Sequence, residues 1–241
     1  MNIIKKMTAK ANDHFNNEGV TIAFLGDSVT QGCFDIYKTE TDSIETFFDK
    51  RYSYEMYVFE ILNMLFPNAT VNIINAGISG DRATRGARRV DSHVIRHAPD
   101  LTVVCYGLND CQEDEDSIKN YTDSLGTIFD KLRASGSEII FMTPNMMNTK
   151  VSPHLRDKDF IDVAKKCASR QNSGLFDKHI EAAKILCQEK DIPVCDCYSI
   201  WKNLYENGVN TTELLANKIN HPTPEMNRVF AYELVKTMFS M

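Results

Sequence analysis

The chain holds 241 residues, 43% of them apolar and 25% charged, and its 27 Lys and Arg against 33 Asp and Glu leave a formal charge of −6. A sequence pI near 5.5 excludes the basic face on which nucleic-acid readers depend, whose pI runs above roughly 9. The composition is that of a globular chain, and this length supports one full core, so a single domain over 1–241 is expected.

Residues 1–19 read as an N-terminal extension without the apolar stretch of about 7–15 residues that a signal peptide needs. No apolar run approaches the roughly 18 residues of a membrane helix. A cytoplasmic protein is the expectation, and seven cysteines, an odd number, fit reduced thiols better than a disulfide framework. The first buried strand is expected at 20–25, followed by a helical stripe of Tyr54, Tyr57, Val58, Ile61, Leu62 and Leu65. A second strand at 70–74 precedes the stripe of Ala83, Ala87, Val90 and Val94, and a third at 101–106 precedes Ile118, Tyr121, Leu125, Ile128 and Leu132. A fourth strand at 138–142 is followed by Phe176, Ile180, Ala183 and Cys187, and a fifth at 192–195 by Phe230, Leu234 and Met238. Strand and helix in alternation imply right-handed crossovers, hence an α/β three-layer sandwich around a parallel five-stranded sheet. Two connections are long: 33–53, and 144–174, an insertion and candidate lid.

In such sheets ligands bind beyond the carboxyl ends of the strands. Gly26-Asp27-Ser28-Val29-Thr30-Gln31-Gly32 follows the first strand, Asn75-Ala76-Gly77-Ile78-Ser79-Gly80-Asp81 the second and Gly107-Leu108-Asn109-Asp110 the third, while Asn220-His221-Pro222 precedes the last helix. Acyl transfer through a serine needs a hydroxyl, a base and donors aimed at the oxyanion. Ser28 is the candidate nucleophile and His221 the candidate general base. The backbone N–H groups of Ser28 and Gly80 and the side-chain amide of Asn109 are candidate oxyanion donors. Gly80 lets a substrate approach the backbone, and Asn109 donates without a charge to desolvate. Asp27, Arg82 and Asp110 stand beside these blocks as candidate substrate contacts.

These four blocks, in this order, resemble the SGNH hydrolases, the GDSL-type lipase and esterase superfamily, over about residues 20–241. The resemblance implies a flavodoxin-like sandwich and hydrolysis of a small-molecule ester without metal or organic cofactor. The family commonly carries an Asp three residues before the base, where this sequence has Lys218. A Ser28–His221 dyad served by a neutral acceptor such as a backbone carbonyl is expected, with Asn217 and Glu213 as other candidate orienters of the imidazole. Arg82, Arg85 and Arg89 recur at helical spacing and read as a solvated, salt-bridged face. Polar Asn145, Asn148, Arg156 and Asp157 in the long second connection suit a hydroxyl-bearing ligand. The expected activity is hydrolysis of small acyl esters, acetyl esters of carbohydrates foremost, through an acyl–Ser28 intermediate. The alternatives are acyl transfer by the same site and a decayed carbohydrate-binding protein; a homo-oligomer is compatible with either.

Overall fold

A computed structural model describes residues 3–240. Seven strands and nine α-helices are present among them: α1 (Ile3–Asn12), β1 (Val20–Gly26), α2 (Ser28–Gln31), β2 (Cys33–Lys38), β3 (Ile44–Phe48), α3 (Tyr54–Leu65), β4 (Val71–Gly77), α4 (Ala83–His93), β5 (Leu101–Cys105), α5 (Ser117–Ala134), β6 (Glu138–Met142), α6 (Lys158–Asn172), α7 (Leu175–Glu189), β7 (Val194–Cys195), α8 (Cys197–Glu206) and α9 (Pro224–Ser240). Five strands form one all-parallel sheet in the order β4-β1-β5-β6-β7. Counting sheet strands alone, this is the flavodoxin-like order 2-1-3-4-5, whose direction reverses between β1 and β5.

The strands are apolar on both faces because helices cover both. Val20, Ile22 and Phe24 of β1 enter one core with Met7 of α1, Tyr54 and Val58 of α3, and Phe230 and Leu234 of α9. The alternate residues Ala23 and Leu25 enter the other core with Val90 of α4, Leu125 and Phe129 of α5 and Ala183 of α7. A one-residue slip would exchange the two sets, so packing fixes the register. The N-terminal extension contributes to the first core, where Ile3 and Met7 are buried.

β1 ends against α2, and two paired glycines make room for it. A Cβ on Gly26 would lie 2.6 Å from the Cys105 carbonyl and 2.1 Å from Thr30 Oγ1, and one on Gly77 would lie 2.3 Å from the Gln31 nitrogen. Only glycine lets backbones approach so closely. The connection 33–53 contains an antiparallel hairpin, β2 with β3, separate from the main sheet. The connection 144–174 starts as a buried segment and continues into α6. Asn145 and Asn148, expected to face a ligand, are instead fully buried and bonded to backbone, Asn145 Nδ2 to the Asn220 carbonyl at 2.8 Å and Asn148 Nδ2 to the Ala164 carbonyl at 2.9 Å.

Candidate active site

Asp27 caps α2 by accepting from the Val29 N–H at 3.0 Å, and Gly32 ends the helix in the left-handed region at φ 85°. Ser28 is therefore the first helical residue at the carboxyl end of β1, and its own N–H has no intrahelical acceptor. Ser28 Oγ lies 2.9 Å from His221 Nε2, across 193 residues of sequence. The pair is largely covered, with Ser28 4% and His221 2% exposed.

The loop that presents His221 is closed by a bridge from Leu215 to Pro222 and by a bond from the Ala216 N–H to the His221 carbonyl at 2.7 Å. Lys218 within it adopts φ 58°. The Asn217 Oδ1 accepts from the backbone N–H groups of Ile219, Asn220 and His221 at 2.9–3.0 Å. The buried segment after β6 buttresses the loop, the Asn148 N–H donating to the Ile219 carbonyl at 2.8 Å. His221 Nδ1 faces Asn217 Nδ2 at 3.2 Å and Cys33 Sγ at 3.5 Å. Burial lowers the His221 pKa to about 4. Of the candidate orienters, Asn217 is beside the ring. Glu213 is not brought to it: its carboxylate pairs with Lys218 Nζ at 3.0 Å. Lys218, at the position of the expected acid, is turned toward Glu213 as well, its Nζ donating to the Glu213 carbonyl at 3.0 Å.

Gly80 sits in an exposed turn at φ 72°, with open space where a Cβ would project. Asn109 Nδ2 donates to the Asp81 carbonyl at 3.0 Å, which leaves its second N–H for a ligand. The Asp81 carboxylate is buried and held by Arg89 Nε at 2.8 Å and by the Tyr106 hydroxyl at 2.9 Å. Arg89 also donates to the carbonyls of Ala76 at 2.6 Å and Gly26 at 3.0 Å, tying the ends of β4 and β1 together. Arg89 thus departs from the expected solvated face; its side chain is 11% exposed. Gly86 is what admits Tyr106, since a Cβ there would meet the phenol oxygen at 2.6 Å.

The three candidate substrate contacts divide. Asp27 is buried and spent on capping, and Asp110 is buried with Oδ1 accepting from the Ala83 N–H at 2.8 Å. Neither reaches the surface, and burial raises both to about 7. Only Arg82 is exposed. Among the described residues no three His, Cys, Asp or Glu side chains converge as a metal ion requires. Asp81 and Arg89 carry weight at this site that the sequence did not announce; the one usable signal was position, Asp81 directly following Gly80.

The GDSL-like lipase/acylhydrolase family matches residues 24–229, a span that includes all four blocks. An acetylxylan esterase of Geobacillus stearothermophilus is 25% identical over 179 residues, covering 70% of this chain and 80% of that one. The crystal structure of an acetylxylan esterase from Geobacillus stearothermophilus superposes with a TM-score of 0.66 at 18% identity, covering 92% of this chain and 94% of that one. An alpha/beta hydrolase enzyme from the metagenome of Lake Arreo, Spain, has a TM-score of 0.66 at 18% identity, covering 92% of this chain and 96% of that one. At such identities the structural likeness speaks for the fold. No helix among the described residues is long and apolar enough to cross a membrane.

Proposed function

Because the chain belongs to the GDSL-like lipase/acylhydrolase family and is an ester hydrolase of that kind, we propose that it cleaves small acyl esters, acetyl esters of carbohydrates foremost, through an acyl–Ser28 intermediate. The observation that carries this reading is the 2.9 Å contact between Ser28 Oγ and His221 Nε2 at the start of a helix. His221, neutral at pH 7 because burial holds its pKa near 4, takes the Ser28 proton as Oγ attacks the acyl carbon. Charge on the carbonyl oxygen is met by the N–H groups of Ser28 and Gly80 and by the Asn109 amide. The imidazolium then protonates the leaving alcohol, and water repeats the sequence on the acyl–serine to release the acid.

The acetyl preference rests on the acetylxylan esterase relative. Ser28→Ala is expected to abolish both p-nitrophenyl acetate hydrolysis and covalent labelling by a fluorophosphonate; turnover at the parent rate would refute the nucleophile. Among substrates, acetylated xylo-oligosaccharides should outrun long-chain p-nitrophenyl esters, and a steep preference for long chains would overturn the substrate class.

A further inference from the structure

The two backbone donors of the proposed oxyanion site stand on different elements, Ser28 at the start of α2 and Gly80 in the turn after β4. Their separation must be held if both are to meet one carbonyl oxygen. The turn is closed by the Asp81 N–H on the Ile78 carbonyl at 3.1 Å, which puts Gly80, at φ 72°, in its third position. That is where a type II turn demands a positive φ. Type I and type II turns differ by a rotation of the central peptide, here the one joining Ser79 to Gly80, so the turn type sets where the Gly80 N–H points. Its neighbours are all engaged: Gly77 donates to Asn75 Oδ1 at 2.9 Å, Ile78 to the Gly26 carbonyl at 3.1 Å and Ser79 to Gln31 Oε1 at 2.6 Å. Among the described residues the Gly80 N–H alone of the run 77–81 has no acceptor.

Gln31 is the last residue of α2, three after Ser28, so the two share a face of that helical turn. The helix that carries the nucleophile thereby grips, through a side chain, the turn that carries the second donor. We propose that Gln31 is a positioning residue of the oxyanion site: by accepting from Ser79 it holds the 78–81 turn against α2 with the Gly80 N–H free for substrate. This proposal rests on the esterase reading of Ser28. An amide suits the task because it accepts without bringing a negative charge beside the oxyanion it helps to stabilise. Ser79 and Gly80 are exposed. A hydrogen bond in contact with water adds little to global stability, so its loss should leave the fold intact and show in catalysis instead.

In the full-length protein, Gln31→Met removes the accepting oxygen at nearly constant side-chain length. Its kcat for p-nitrophenyl acetate should fall about tenfold, less than the ~10²–10³ lost with a whole oxyanion donor, with KM within about twofold and the melting temperature unchanged. Ser79→Pro tests the other end of the bond. Proline has no N–H to donate, yet its fixed φ suits the second position of a type II turn, so the turn persists without Gln31. On that background Gln31→Met should change kcat by less than about twofold, the sign that the two residues act through one contact. A parent-like kcat in Gln31→Met overturns the proposal, and so does a fall in kcat that comes with a large fall in melting temperature. An undiminished loss on the proline background overturns it too, since Gln31 would then act by a route other than Ser79. Amide exchange reads the tie without turnover and without the proline variant: the Ser79 N–H should exchange about tenfold faster in Gln31→Met than in the parent, and equal rates overturn the proposal. Fluorophosphonate labelling of the parent separates the two levels. Its absence condemns the esterase reading, while the exchange of Ser79 still judges the Gln31 tie.

Discussion

The side-chain amide of Asn109 and the backbone carbonyl of Asp81 meet at 3.0 Å, and through that bond the loops after β5 and β4 hold one another. Both loops supply proposed oxyanion donors, Asn109 itself and Gly80, the residue before Asp81. The Asp81 carboxylate is gripped from behind by Arg89 and Tyr106, so the donors are fixed before substrate arrives, which is the condition for electrostatic stabilisation of a transition state.

Asn109→Ala should therefore lower kcat for p-nitrophenyl acetate by ~10²–10³, the usual loss for one oxyanion donor, with KM little changed. Arg89→Met acts differently. It leaves the Asp81 carboxylate buried without its cation, which typically destabilises by about 3–5 kcal/mol, so thermal denaturation should show a large drop in melting temperature. Parent-like stability would mean that Arg89 is the solvated residue its helical spacing suggested.

Asn217 offers an opposite test, since Asn217→Asp should raise activity. Its carboxylate would keep the three backbone donors of Ile219, Asn220 and His221 and present its second oxygen to Nδ1, while Asn220, whose Oδ1 now accepts from Asn217 Nδ2 at 3.0 Å, turns its amide over to donate. Replacing a triad acid by its amide costs ~10⁴ in kcat in a serine protease; part of such a factor, about tenfold or more, should appear here. The adjacent negative charge also raises the imidazole pKa, so the acid limb of kcat/KM should move to higher pH. A slower variant with an unmoved limb would refute the assignment of Asn217 as the neighbour that opposes a proton on Nδ1.

These residues also mark where sequence reading stopped. The five sheet strands were legible because burial on both faces writes continuous β-branched runs such as Val20 to Leu25, and the four blocks because each follows a strand or precedes the last helix. The β2–β3 hairpin was not legible: Asp35, Tyr37, Glu45 and Phe47 are exposed or half-buried, so alternation carries no core face, and the partners of Lys38 on α6 lie about 120 residues away. Counting three residues back from His221 lands on Lys218. The left-handed backbone at Lys218 belongs to a loop that brings Asn217, four residues back, to the ring instead. Arg89 read as solvated because helical period describes only its own helix and not the Gly26 and Ala76 carbonyls waiting at the ends of β1 and β4.

The free enzyme's acid limb should lie low. Burial holds the His221 pKa near 4, and the ring is a base only when neutral, so the fraction of competent base falls as pH drops through that value rather than through about 6.5. The pH profile of kcat/KM for p-nitrophenyl acetate should stay level from pH 7 down to about 5. A limb near 6.5 would mean that the ring is more solvated than its 2% exposure implies.

Folding stability should follow a different course because of the buried carboxyls. Asp27, Asp110 and Glu55 are each raised to about 7 from values near 4, burial being the largest cause. Between pH 4 and 7 the folded state therefore holds protons that the unfolded chain has released, and stability falls as pH rises through that window, levelling above it. His221, depressed to about 4, and His179, also lowered by burial, work in the opposite sense below pH 6.5, but as two groups against three. Asp110 is the most informative member, since its Oδ1 has the Ala83 N–H while its buried Oδ2 has no partner. Asp110→Asn keeps the accepting oxygen and removes the titration. The variant should match the parent's melting temperature near pH 4 and exceed it at pH 8; a variant less stable at pH 8 would show that the ionised carboxylate is stabilised where it stands, and that the fall in stability comes from elsewhere.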